Sequence, residues 1–250
     1  MFKKLLVASI CAVTLVACEE VESPQPAPQP EQQQSTRNEP VRSYADGLAA
    51  FNRVRARVNA QAVAVCNQFR ADLPARYCQF QYNVLNNDKQ PANAFQSWNR
   101  AGQPVITFNS NMLRTVRNDH EIAFILGHEA GHQIARHLIR RRENATAGAV
   151  LGAIIGSATG IDPSSAADLG GAIGGRAYSK EWELQADVLG THIAARAGYN
   201  PEIGAQSFNR FSGSNALLST HPPGPDRIAT VQRTYAQIKA GNRRIPCFHC

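Results

Sequence analysis

Apolar residues recur with helical spacing over most of residues 44–240, and with strand-like alternation only briefly. Between Tyr44 and Arg70, the residues Leu48, Phe51, Val54, Val58 and Val63 or Val65 follow three- and four-residue steps and predict one long helix. Tyr77 to Leu85 alternates as a half-buried strand does, and short segments around Phe95 and from Val105 to Phe108 predict two further strands. From Ile122 to Ile139 the helical period returns through Ile122, Phe124, Ile125, Leu126, Ile134, Leu138 and Ile139. Asn118 is placed to cap this helix, with Glu121 three residues on as the reciprocal partner. Arg136, Arg140, Arg141 and Arg142 would suit its C-terminal dipole. Ser179 marks the start of another helix, Gly198 and Pro201 its end, and a last helix is expected from Asp226 to Ala240. The pattern predicts an α+β domain, mostly helical, with a small sheet packed beside the 122–139 helix.

Two stretches break this pattern. Residues 145–175 are rich in Gly and Ala, with Val150, Leu151, Ile154, Ile155 and Ile173 among them, and Asp162-Pro163 divides them. Neither half is long enough to span a bilayer. A closely packed helical hairpin is expected, with a lid or a membrane-inserting segment as alternatives. At the N-terminus, Lys3 and Lys4 precede an apolar run from Leu5 to Val16, the layout of a signal peptide over residues 1–17. Leu15-Val16-Ala17-Cys18 resembles the bacterial lipobox, which makes Cys18 the expected lipidation site and the membrane an expected partner. Glu19, where an aspartate would signal inner-membrane retention, leans the expected location towards the periplasmic face of the outer membrane. Residues 18–42 turn to Pro, Gln, Glu and Ser and read as a disordered tether. A single domain over 43–240 and a cysteine-containing tail over 241–250 complete the expected organisation.

Composition adds two constraints. The formal net charge is +7 with a pI near 9.3, a balance suited to anionic lipid or polyanionic envelope material. Export argues against nucleic acid as a partner, and no RNA-binding or base-reading motif is present. Of six cysteines, Cys11 leaves with the signal peptide and Cys18 is the lipid site. Cys66, Cys78, Cys247 and Cys250 remain, and three pairings are possible. Cys66–Cys78 with Cys247–Cys250 closes the shortest loops.

The residues with chemistry sit on the 122–139 helix. His128-Glu129-Ala130-Gly131-His132 reads HExxH, and residues four apart share a helix face. Both imidazoles can meet one metal ion with Glu129 beside it, the signature of a zinc metallopeptidase. Ala130 and Gly131 are small enough for another element to approach closely. A catalytic zinc needs a third protein ligand and an open position. Ala135 and Leu138 occupy the slots where HExxHxxGxxH would place its glycine and third histidine. His137, five residues past His132, is expected at the surface. The third ligand is therefore sought on a later helix, where Ser179 to Asp187 carries Glu181 and Glu183; spacing alone does not choose between them. Asp187, four residues past Glu183, could accept the outer N–H of a ligand histidine.

These stretches resemble the HtpX and CAAX-prenyl-endopeptidase family of zinc metallopeptidases. The motifs that carry the resemblance are Phe124 to His132, Ser179 to Asp187 and His221-Pro222-Pro223-Gly224-Pro225-Asp226-Arg227, in that order. Asn93-Ala94-Phe95 followed by Val105 to Phe108 also resembles the family's upstream strand pair, and Lys180 stands where arginine is usual. The resemblance covers about residues 44–240. It implies a zincin-like fold, one Zn2+, and Glu183 as the third ligand after His128 and His132. It also implies Glu129 as general base towards a zinc-activated water. Asp187 and Arg227 stand behind the ligands. His221 is implied near the zinc, either as a fourth ligand in a closed state or as an oxyanion donor, and Asn93, Ala94 and Phe95 as the edge that holds extended substrate. The organisation resembles that of the family's periplasmic lipoprotein proteases, which implies unfolded or misassembled envelope proteins as substrates, with other envelope assembly proteins as possible partners. The alternative function is an envelope chaperone or assembly factor with a largely latent zinc site.

Overall fold

A computed structural model of the protein describes residues 41–174, 178–210, 221 and 225–248. The lipidation site Cys18, the signal segment, most of the tether and Cys250 lie outside the described residues. Helix α1 (Tyr44–Phe69) starts at Ser43, whose hydroxyl accepts from the Asp46 amide at 3.1 Å. Phe51, Val54, Val58, Ala62 and Val65 form its buried face. The alternation from Tyr77 does not begin a strand: Ala75–Cys78 is a 3-10 turn and β1 runs only from Gln81 to Leu85. Tyr77 is held instead by reciprocal bonds to Gln133, its hydroxyl to the backbone oxygen at 2.6 Å and its own carbonyl to the side-chain amide at 3.0 Å. The expected Cys66–Cys78 disulfide is present and ties α1 to this turn. Closing so short a loop removes about 3 kcal/mol of unfolded-state entropy. Cys247 is disulfide-bonded as well.

The sheet contains β1, β2 (Ala94–Trp98) and β3 (Pro104–Asn109) in the order β1-β3-β2. β1 runs parallel to β3, with Val84 opposite Phe108. β2 runs antiparallel to it, with Ala94 opposite Phe108, and forms one edge. Phe108 stacks at a tilt on Phe51 of α1, 5.1 Å between centroids, which joins sheet and helix in one core. The short helix α2 (Ser110–Thr115) turns the chain into α3 (Asp119–Ile134). Asn118 caps α3 by accepting from the Glu121 amide at 3.0 Å. Glu121 does not return to the Asn118 amide; it accepts from the Arg117 amide at 2.8 Å and pairs with buried Arg210.

The largest departure from the sequence pattern is the end of α3. It stops at Ile134, not Ile139; Arg136 takes a left-handed conformation (φ 61°), and α4 (His137–Thr159) starts afresh. The break falls at a non-glycine residue, so periodicity gives no warning of it. It moves Arg140, Arg141 and Arg142 from a helix C-terminus to the first turns of α4. α4 and α5 (Pro163–Gly174) form the expected hairpin, inserted between α3 and α6 (Lys180–Arg196). α6 is capped by Ser179 and lies directly on α3. A Cβ on Gly127 would sit 2.9 Å from the Gly190 carbonyl, and one on Gly131 equally close to that of Ala186. Backbone therefore meets backbone, and residues 128–132 face the start of α6 at short range. The short helices α7 (Pro201–Ala205) and α8 (Ser207–Arg210) and the long α9 (Pro225–Lys239) close the other side.

Candidate metal centre

Four side chains from three places converge in the interior. His128 and His132 come from α3, Glu183 from the first turn of α6, and His221 from the chain before α9. All are buried, and one ligand atom from each lies within 4.8 Å of every other. His128 Nε2 is 2.9 Å from His132 Nε2 and 3.2 Å from His221 Nδ1. Glu183 oxygens stand 3.4 Å from each of the α3 imidazole nitrogens and 3.1 Å from His221 Nδ1. Ligands about 2.0–2.1 Å from a tetrahedral zinc are separated from one another by roughly 3.4 Å. Five of the six separations, at 2.9–3.4 Å, match the edges of such a figure, and the sixth, between His132 and His221, is within 4.8 Å. The donors, three imidazoles and one carboxylate, are those zinc prefers. Glu181 stays outside this group: it accepts from Gln185 Nε2 at 3.0 Å.

Glu129 points into the same space without joining the four. Both its carboxylate oxygens are buried and lack a hydrogen bond among the described residues. His221 Nε2 lies 3.4 Å from Glu129 Oε1. A desolvated carboxylate left without a donor is costly in a structural core, and it is what a proton-transferring base requires.

The two α3 histidines are backed differently. His128 Nδ1 is 2.9 Å from Asp187 Oδ1. Arg227 in turn clasps Asp187 through Nε and Nη2 at 2.8 and 2.7 Å, touches Glu183 Oε2 at 3.0 Å and lies over the Phe208 ring at 3.7 Å. Burial and the Arg227 charge act to lower the His128 pKa, but the Asp187 and Glu183 carboxylates outweigh them and raise it to about 9. Burial would also raise the Glu183 pKa, yet the surrounding imidazoles hold it well below the usual carboxylate range. His132 is held neutral by burial, with other imidazoles adding to the effect.

His132 is backed by a residue expected at the surface. His137 is fully buried, and the break at Arg136 turns it back so that its Nδ1 is 2.9 Å from His132 Nδ1. Its Nε2 is 3.0 Å from Gln185 Oε1, and its ring stacks on Trp182 within 6° of parallel. Burial lowers its pKa to about 4, so it is a neutral acceptor at physiological pH. With His132 Nε2 turned to the metal position, His132 Nδ1–H donates to His137, and His137 Nε2–H donates to Gln185. Tyr178 covers the other side of His132, stacked at 4.1 Å. No periodic signal marks His137, Gln185, Tyr178 or Trp182; only the left-handed turn at Arg136 brings the first of them home. Replacing His137 by Leu is expected to lower zinc affinity by about 10–100-fold, the usual loss when a histidine ligand loses its backing acceptor. His137→Gln, which keeps an acceptor oxygen, should retain most of it. Competition with a chromophoric chelator measures both, and an unchanged affinity in His137→Leu would remove His137 from this role.

β2 passes beside the site. Gln96 Nε2 donates to Gln133 Oε1 at 2.9 Å, which fixes the edge strand to the residue after His132. Ala94 and Phe95 lie on that strand and Asn93 just before it. With the geometry in view, the comparisons with known proteins add one finding: the model of Peptidase family M48 matches residues 49–235, a span that contains every residue of the site. No curated protein matches the chain.

Proposed function

The chain belongs to peptidase family M48 and is a zinc metalloendopeptidase; on that footing we propose that it cleaves unfolded or misassembled proteins of the bacterial envelope, held in the periplasm by a lipid on Cys18. The observation that carries the catalytic part is the tetrahedral convergence of His128, His132, Glu183 and His221 around buried, unpartnered Glu129. A bound zinc supplies Lewis acidity, bringing the pKa of a water towards neutrality and polarising a substrate carbonyl. Glu129 takes a proton from the attacking water and returns it to the leaving nitrogen. Asp187 and His137 hold the two imidazoles in the ligating tautomer. β2, at the edge of the sheet, takes an extended substrate strand by main-chain pairing, which favours unfolded chains over a particular sequence.

In this reading the resting site is closed. His221 Nδ1 stands at the fourth corner, where water and substrate would otherwise enter. A site open one-tenth to one-hundredth of the time loses roughly that factor in apparent activity. His221→Ala is therefore expected to raise proteolysis of an unfolded protein by roughly 10–100-fold at matched zinc occupancy. A fall of about a hundredfold would instead make His221 an oxyanion donor, and equal rates would return it to a structural role. The same closed corner also suits an envelope chaperone that cleaves rarely. Turnover of the unfolded protein by His221→Ala but not by Glu129→Gln in the same background separates the two. The address rests on the lipobox and tether. Cys18→Ser should leave the membrane fraction, and mass spectrometry of the native N-terminus should find an acylated Cys18. An unmodified mature start at another residue would sink this part alone.

A further inference from the structure

The hairpin of α4 and α5 is the part of the fold that the peptidase chemistry does not use. Its helices touch through their glycines: a Cβ on Gly148, Gly152 or Gly170 would run into the opposing backbone. Packing this close needs no large side chains, so these remain outside. Val150, Leu151, Ile154, Ile155, Ile161 and Leu169 are each 50–62 % exposed. Among the described residues they make up six of the nine large apolar side chains left exposed, gathered on one hairpin. Leu151, Ile155, Ile161 and Leu169 border a groove of about 530 Å³ whose floor is the glycine seam. Among the described residues Ser165 supplies the only polar side chain in its lining.

We infer that this hairpin docks onto a bilayer bearing anionic headgroups. Three observations choose that occupant. The lining offers almost no hydrogen-bonding group, and helix backbone is already paired, so an extended polypeptide would leave its amides unsatisfied there. The apolar surface also turns a corner: Val150 and Ile154 lie about 100° round the helix from Leu151 and Ile155. They face the outer edge of α4, while the other pair faces the groove. A second hairpin would cover one of these faces, whereas acyl chains wet both. Cations, finally, mark the depth. Arg140 lies eleven residues before Leu151, three helical turns, and so on the same face. It rests on the Trp182 ring at 4.6 Å, Arg141 lies over Tyr178 at 5.6 Å, and Arg142 is exposed. Tyr178 and Trp182 are themselves buried, so the arginines alone meet the headgroup layer.

The hairpin lies along the surface and does not cross. Arg142 to Thr159 spans about 26 Å, short of the roughly 30 Å hydrocarbon core. No helix among the described residues is long and apolar enough to cross a membrane. Asp168 is exposed, does not line the groove and faces away from α4, so rolling onto the α4 side leaves it among the headgroups. Because α4 leaves the histidine helix and α5 leads to the Glu183 helix, docking would hold the metal centre next to the membrane surface.

The full chain on vesicles tests this without reference to zinc or proteolysis. Leu151→Trp and, separately, Leu169→Trp report on the groove, and Ala71→Trp at an exposed site on the core domain serves as the control. Vesicles contain phosphatidylcholine with or without phosphatidylglycerol, their acyl chains brominated. An interfacial helix buries its apolar face about 5–10 Å deep, so the added emission of Leu151→Trp and Leu169→Trp should fall by roughly half or more on anionic vesicles. It should fall less on phosphatidylcholine alone, and Ala71→Trp should not change. Vesicle-bound protein whose groove reporters are unquenched would overturn the proposal, and equal quenching on both lipids would overturn the role of anionic headgroups. A blue shift without lipid, with sedimentation as a dimer, would assign the surface to a second copy instead.

Discussion

Glu129→Gln is expected to lower turnover of an unfolded protein by about a thousandfold to ten-thousandfold while zinc stays at full occupancy. The amide keeps the size of the side chain and cannot accept the proton. Glu129 is not one of the four converging ligands, and no protein group among the described residues hydrogen-bonds its carboxylate, so the substitution breaks no hydrogen bond and alters only the 3.4 Å approach of His221. His128→Ala, His132→Ala and Glu183→Ala should differ by losing the metal as well. Metal analysis beside a single proteolysis assay distinguishes the classes. A Glu129→Gln protein that cleaves at the wild-type rate would remove the general base. Full zinc occupancy in Glu183→Ala would remove the third ligand and return Glu181 to contention.

Arg227→Ala should unfold more easily by about 3–5 kcal/mol, the usual result of stripping one partner from a buried ion pair. Arg227 is the largest fully buried side chain among the described residues, and Asp187 is fully buried beneath it. Without the guanidinium, Asp187 and Glu183 face each other across the site with one cation fewer, and the Phe208 face loses its partner. For a domain of this size the midpoint of thermal unfolding should fall by roughly 10 °C. Adding Asp187→Asn should recover part of the loss, because the amide needs no countercharge. A thermal midpoint within a degree or two of wild type in the metal-free protein would show that the pair carries no net stability.

Much of the site was legible because its spacing is local. HExxH on one face of a helix needs only the 3.6-residue period, and a cap at Ser179 needs only the residue types that follow it. The α1 face, the two later strands, the glycine-rich hairpin and the Cys66–Cys78 pair follow from similarly short-range rules. Where prediction failed, a competing long-range contact had won. Tyr77 looked like the first residue of a strand, but its bonds to Gln133 across the core hold it in a 3-10 turn. His137 looked like a surface residue of a continuous helix, but the left-handed Arg136 redirects the chain, and burial against His132, Trp182 and Gln185 compensates that backbone conformation. The sequence by itself therefore determined that His128 and His132 share one helix face with Glu129 beside them, since that follows from side-chain type and helical register. Spacing left Glu181 and Glu183 open and only the resemblance pointed to Glu183 and to His221; the tertiary structure brings both to the histidines, and it alone shows that His137 stands behind His132. The placement of Glu183 depends on helix contacts set by glycines at 127, 131 and 190, between segments some sixty residues apart, and that of His137 on the left-handed turn at Arg136, neither of which a local period reveals.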